Sequence, residues 1–296
     1  MLSFKNFITE EKQALIEKLI TLGGQAYPKF GTVVILAGGA GSGKGFIKDS
    51  LLGVEGYTFD VDELKKMAAK TPAIQKRVKD ELGYDLEDLS ARMKEPEVVS
   101  QLHSIMGDYL NLDDRKMRAV YRSIMMADPS RKPNLIFDVT LKDMKKLKKI
   151  SNQVNELGYD KKNIHIVWVI NDIEVAKEQN RERDRVVPAQ ILVSTHKGAS
   201  ATMKDIVNMG KSLTTHMDGD IVFAFNKIKV DSDLAKSGRE GRKIGMKGKT
   251  KGGQYLRDAN YFYVKRAGKP VMNIDSISND IKAKIASYVP DGTVWS

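Results

Sequence analysis

Apolar residues recur at helical spacing through residues 4–22 (FKNFITEEKQALIEKLITL), and Gly23-Gly24 stops the pattern. The period then changes. Residues 32–37 (TVVILA) form a short continuous apolar run of β-branched character, which predicts a strand buried on both faces of a parallel sheet. A glycine-rich turn at 38–45 comes next, and then a helix from about 46 to 52. Residues 57–61 (YTFDV) predict a second strand, and residues 62–127 read as mostly helical, punctuated by Pro72 and Pro96. A third strand is expected at 134–138 (NLIFD), a basic helix at 142–157, a fourth strand at 164–170 (IHIVWVI), helices at 172–183 and 188–209, and a fifth strand at 220–225 (DIVFAF). Strands alternating with helices predict βαβ units, a mostly parallel sheet and right-handed crossovers.

The pattern weakens after Val230. Segment 236–252 (KSGREGRKIGMKGKTKG) holds seven Lys/Arg, five Gly and one acid, Glu240, with no apolar period. Beyond it, 261–264 and 271–274 are expected to form a hairpin and 277–288 a closing helix. The organisation read from this is an N-terminal helix at 1–27, a nucleotide-binding domain at 28–230, and a basic loop with a small C-terminal extension at 231–296.

Composition narrows the chemistry. Among the 296 residues, 49 Lys+Arg stand against 38 Asp+Glu, a formal charge of +11, which favours polyanionic partners. The absence of cysteine removes disulfides, thiolate zinc sites and cysteine nucleophiles. No run approaches the ~18–20 apolar residues of a membrane span, and the N-terminus lacks the apolar region of a secretory signal.

Gly38-Gly39-Ala40-Gly41-Ser42-Gly43-Lys44 fits G-x-x-x-x-G-K. Its context carries more weight than its letters, because the loop leaves a buried-type strand and enters a helix. Small residues let successive backbone N–H groups wrap phosphates, and Lys44 reaches the β/γ oxygens. The fold expected is therefore α/β, a three-layer P-loop NTPase-type fold with a mostly parallel sheet and a basic C-terminal extension. Gly45 stands where a Ser or Thr normally gives a hydroxyl to Mg²⁺.

Phosphoryl transfer to a hydroxyl needs a base, a metal and cations on the transferring group. Asp60 and Asp62 end the second strand, at the edge where open α/β sheets bind ligands. Asp62 is the preferred base, with Asp60 as alternative and a helix N-cap as the competing role. Asp138 closes the third apolar run, where a magnesium-ordering carboxylate belongs, with Thr140 two residues on and helix capping again the competing role. Arg181 and Arg185 share a face if their helix persists, and are candidates to stabilise the transferring phosphoryl group, whereas Arg183 points elsewhere. His103, His165, His196 and His216 show no ligand spacing, and His165, inside a strand, reads as structural.

In order, GGAGSGKG, YTFDVDELKK, NLIFDVTLKD and RDRVVP resemble the zeta-toxin and polynucleotide-kinase-like branch of P-loop kinases, over about 30–228. The resemblance implies ATP and Mg²⁺ as cofactors, Asp62 as the acceptor-activating carboxylate, Lys65 as a nearby basic residue, and Asp138 at the strand-end Walker B position. It implies Arg185-Val186-Val187-Pro188 as the lid motif, with Arg181 a second phosphate contact. Gly45 departs from the family's Ser/Thr. Separately, MLSFKNFITE resembles the capsid-targeting tag on internal head proteins of large tailed phages, whose protease would cut after Ile8-Thr9-Glu10; a plain amphipathic helix start is the competing reading.

The function expected is an ATP-dependent kinase acting on a hydroxyl of a nucleic acid or nucleotide-sugar. Segment 236–252 is a candidate DNA contact, and Tyr255, Tyr261, Phe262 and Tyr263 are candidates for base stacking or for core packing. The competing function is a non-catalytic nucleotide- or DNA-binding phage head protein with a degenerate kinase fold. A nucleoside-monophosphate kinase fits less well, since no D-G-[FY]-P-R segment is present. No membrane partner is expected. The host cytoplasm is the expected location, or a virion head if the tag operates.

Overall fold

The computed structural model describes residues 20–60, 67–112, 118, 120, 122, 124, 126, 128–182, 186–226, 260–290 and 295. The expectations placed on residues 1–19, Asp62, Lys65, Arg183, Arg185, segment 236–252 and Tyr255 lie outside the described residues.

Six strands form one sheet. In chain order they are β1 (Val33–Ala37), β2 (Tyr57–Asp60), β3 (Leu135–Val139), β4 (Ile164–Asn171), β5 (Ile221–Asn226) and β6 (Asn260–Lys265). Their spatial order is β2-β3-β1-β4-β5-β6, with all neighbours parallel except the last pair. The helices joining and covering the strands include α1 (Lys44–Ser50), α2 (Pro72–Leu82), α3 (Leu86–Ala91), α4 (Pro96–Ser104), α5 (Met144–Glu156), α6 (Ile173–Arg181), α7 (Ala189–Asn208) and α8 (Asn279–Tyr288).

Continuous apolar runs make these strands because both sheet faces are covered. All five residues of β1 and all eight of β4 are buried. Alternate side chains feed two separate cores. Val33, Ile35 and Ala37 join one with Trp168, Phe223 and Trp295, whose rings pack 4.9–5.7 Å apart. Val34 and Leu36 join the other, with Ile47 in the middle of α1 and Leu51 at its C-cap. A third apolar cluster lies within the helices between β2 and β3, built on Val78, Leu86, Leu89, Val98, Leu102 and Met106.

The hairpin expected of 261–264 with 271–274 does not form. β6 instead pairs antiparallel with β5, and residues 271–274 contribute one backbone bond, from Met272 N–H to the Val264 carbonyl (2.9 Å). Val264, Val271, Ile277, Ile285 and Trp295 all enter the first core. Tyr261 and Tyr263 pack on the second, and the Tyr263 hydroxyl accepts from the Thr21 backbone N–H (2.9 Å). Phe262 packs on the first core. These three aromatics serve packing.

The connection after β1 runs to β2 on one flank, and that after β4 runs to β5 on the other. The carboxyl ends of the central strands therefore face a topological switch point, where open α/β sheets place ligands. The glycine loop sits there.

Candidate active site

The loop leaves the end of β1 and is shaped by steric need at two positions. Gly43 holds φ 87°, a left-handed conformation that opens α1 with no side-chain cap, and glycine alone adopts it without strain. Gly39 is small for another reason: a Cβ there would land inside the imidazole of His196. The loop also backs onto α6, since a Cβ on Gly41 would sit 2.6 Å from the Ala176 carbonyl.

Lys44 folds over this loop. Its Nζ donates to the carbonyls of Gly38 (2.9 Å) and Gly39 (3.3 Å) and lies 3.6 Å from the Asp138 carboxylate. Asp138 belongs to β3, in register with Leu36 of β1 and Asp60 of β2. Leu36 and Ile136 face the second core, so Asp138, two residues beyond Ile136, faces the α1 side as well. Asp60 comes directly after Phe59, which stacks on Phe137 (4.7 Å) in the opposite core, and so points the same way as Asp138. The structure thus brings Lys44, Asp138 and Asp60 to one sheet edge.

α7 braces the loop from outside. The Ala40 N–H donates to Thr195 Oγ1 (3.2 Å), and His196 Nε2 donates to the Ala40 carbonyl (2.8 Å), so both Ala40 backbone groups turn toward α7. Donation to a carbonyl fixes the proton on Nε2. Burial holds the His196 pKa down to about 4, the Ala40 bond opposes this and the Lys44 charge adds to it, so the ring is neutral near pH 7. From below, two strand-end asparagines in register on β4 and β5 pin the loop's backbone. Asn171 Nδ2 donates to the Gly41 carbonyl (3.2 Å) and Asn226 Nδ2 to the Ser42 carbonyl (3.1 Å). Their Oδ1 atoms, and Ser42 Oγ, are buried with no hydrogen-bond partner among the described residues.

His196, Thr195, Asn171 and Asn226 are positioning residues that sequence reasoning missed. The asparagines carried a signal, each closing an apolar run with a polar residue. His196 carried none, because its partner lies 156 positions away. Gly39→Ala tests the brace directly. Overpacking against the ring is expected to cost about 2 kcal/mol, and Gly39→Ala with His196→Ala to recover most of it. Denaturant titration of the four proteins in the cycle measures the coupling; an additive cycle would show that the ring does not set the loop.

The arginine segment is closed at its base. Asn180, 4% exposed at the end of α6, donates to the Val187 carbonyl (2.7 Å) and accepts from the Val187 N–H (3.0 Å). Val186 N–H bonds the Met93 carbonyl (3.2 Å), tying the segment to the helices between β2 and β3. Arg181 is exposed at the last turn of α6, and Ala176 on the same helix touches the loop. α6 ends at Arg181, two residues short of the helix expected over 172–183, and Arg185 lies outside the described residues.

Magnesium keeps waters and needs one or two carboxylates beside phosphates. Asp138 and Asp60, hard oxygen donors at one edge, fit that requirement, although no cluster of three or more metal-ligating side chains occurs among the described residues. When bound, the ion would neutralise charge on the phosphates. Gly45 is not enforced by packing, since nothing lies within 4 Å of a Cβ placed there. Gly45→Ser is therefore expected to leave the Tm level or slightly raised, since Ser has the better helix propensity by about 0.5 kcal/mol. It should also tighten ATP binding in Mg²⁺ but not in EDTA, as read by calorimetry; equal tightening in both would count against a metal role for this position.

The other histidines do different work. His165 is buried, and its Nδ1 accepts from the Asp220 N–H (2.9 Å) at the sheet edge away from the loop. The Asp220 carboxylate also takes the N–H groups of Gly23 (2.5 Å) and Ala267 (3.1 Å). Burial raises its pKa, but His165 and those amides outweigh it and hold the carboxyl below the usual range. His165 is structural, as its position in a strand implied.

The order of strands and the glycine loop with its lysine–carboxylate pair define an α/β fold of the P-loop NTPase type, the fold expected from the sequence. No protein-family model and no curated protein matches the sequence. Among solved structures, the chain is similar to one from the PezAT chromosomal toxin–antitoxin system of Streptococcus pneumoniae. That match has 12% identity and a TM-score of 0.43, covering 86% of this chain and 95% of the other. It is also similar to AvrRxo1-ORF1:-ORF2 with ATP (12% identity, TM-score 0.44, 98% and 81% covered) and to the native AvrRxo1-ORF1:-ORF2 complex (13%, 0.43, 98% and 81%). These likenesses are ones of fold. No helix among the described residues is long and apolar enough to cross a membrane.

Proposed function

We propose that the protein is an ATP-dependent phosphotransferase that moves the γ-phosphate to a hydroxyl of a nucleic acid or nucleotide-sugar. The observation that carries this reading is Lys44, held over a glycine loop at the switch point and 3.6 Å from the β3 carboxylate. A cation beside phosphates and a carboxylate beside the metal position are the parts phosphoryl transfer requires. Gly38, Gly39, Ala40, Gly41, Ser42, Gly43, Lys44 and Gly45 cradle ATP. Asp138 orders Mg²⁺, Asp62 takes the acceptor proton, and Arg181 and Arg185 stabilise the transferring group.

The test is label transfer from γ-labelled ATP with Mg²⁺ to 5′-hydroxyl DNA, 5′-hydroxyl RNA and UDP-sugars. Transfer to one class, lost in Asp62→Asn with ATP affinity kept, is the expected result and names the acceptor. ATP binding without transfer to any acceptor would instead support the packaged, non-catalytic binding protein.

A further inference from the structure

A row of lysines leads away from the phosphate loop. Five fall within residues 142–149. On α5, Leu147, Ile150, Ser151 and Val154 are buried against the sheet, so Lys145, Lys148 and Lys149, at helical spacing i, i+3 and i+4, share the exposed face. The acid at the start of this helix, Asp143, has its carboxylate engaged as the N-cap, accepting from Lys146 N–H (3.0 Å). Lys142, Lys145, Lys146 and Lys148 make no ion pair among the described residues.

Both ends of the row are fixed in the fold. At one end Lys142 packs on α7, where a Cβ on Gly198 would meet Lys142 Cβ at 2.8 Å, two residues past the histidine that holds the loop. At the other, Lys161 is exposed on the turn before β4. Burial first, and then the charges of Lys148 and Lys161, hold the half-buried His216 below its usual pKa. Positive potential therefore continues from α5 to that turn. Two acids interrupt it, Glu156 at the end of α5 and Asp160 on the turn, whose carboxylate is engaged by the Lys162 N–H (2.8 Å).

We propose that this lysine face is the track for a single-stranded nucleic acid whose terminal hydroxyl reaches the phosphate loop, an inference that rests on the kinase reading for the role of that loop. The length suits the ligand. The thirteen residues of α5 span about 20 Å, the length of about six phosphates at the per-strand spacing of about 3.4 Å. The lysines at 145–149 lie along its first half and Lys161 past its far end. A membrane surface fits less well, since none of the exposed large apolar side chains lies between 139 and 163, and an interfacial helix needs an apolar face to insert.

The test uses the full chain and a fluorescent 5′-hydroxyl oligothymidine, with affinity measured by anisotropy across a salt series. The triple variant Lys145→Gln, Lys148→Gln, Lys149→Gln keeps the side-chain stems, and an unchanged Tm confirms its fold. Three lost phosphate contacts reduce the log–log salt slope by about 2 and the low-salt affinity by roughly 10-fold or more. A control triple on the exposed lysines of the helical insert (Lys70→Gln, Lys76→Gln, Lys94→Gln) leaves both unchanged. The proposal is overturned by an unchanged slope in the α5 variant, by an equal fall in the control, or by no oligonucleotide binding at low salt. It is overturned equally if the α5 variant loses only binding to phosphatidylserine vesicles. The kinase reading fails separately: lysine-dependent binding with no label transfer would sink that reading and keep the track.

Discussion

On the kinase reading, Lys44→Met is expected to lower phosphoryl transfer by about 10³-fold while the fold survives. A cation that meets charge developing on the transferring group is worth about 10²–10³-fold when removed, and here that cation also neutralises the neighbouring Asp138. The structural cost is small by comparison. The Lys44 side chain is partly exposed and makes two carbonyl bonds and one ion pair at 3.6 Å, together worth about 1 kcal/mol net. Methionine keeps the stem that packs along the loop. Single-turnover transfer beside a thermal melt checks both halves. A variant that transfers within about tenfold of the parent would place Lys44 outside the chemistry, and one that melts far lower would make it a structural lysine.

Acid weakens the loop through His196. In the folded chain its pKa is held down to about 4, against 6.5 for an unperturbed imidazole. Above pH 6.5 neither folded nor unfolded chain carries the proton, and the residue contributes no pH dependence. Between 6.5 and about 4 the unfolded chain binds a proton that the folded one refuses, so stability falls as pH falls through that window. The full effect approaches about 3 kcal/mol near pH 4. His196→Gln keeps an N–H for the Ala40 carbonyl and removes the titration. The expected result is a flatter stability profile between pH 6.5 and 4 in the variant, by urea melts at each pH. Parallel profiles for the two proteins would falsify the assignment.

The strands were legible because burial on both faces leaves a plain trace. β1, β3, β4 and β5 are short apolar runs, and each lies within about two residues of where its run predicts. β6 was legible as a strand but not as a neighbour of β5, because an alternating segment does not say which edge it will pair with. The glycine loop was legible as a motif, yet only the folded chain shows why Gly39 must be small and Gly45 need not be. The helix expected over 172–183 ends at Arg181. The pair of hydrogen bonds between Asn180 and Val187 turns the chain back, and side-chain-to-backbone bonds of that kind leave no periodic trace.

The helices between β2 and β3 have an apolar cluster of their own, separate from the two that sandwich the sheet. A unit with its own core opens on its own free-energy scale. Hydrogen exchange should then report two tiers, with amides of α2, α3 and α4 exchanging by a sub-global opening while those of β1 and β4 wait for complete unfolding. The Val186–Met93 bond joins this unit to the arginine segment. Opening the insert breaks that bond, so the bond is expected to last as long as the insert stays folded.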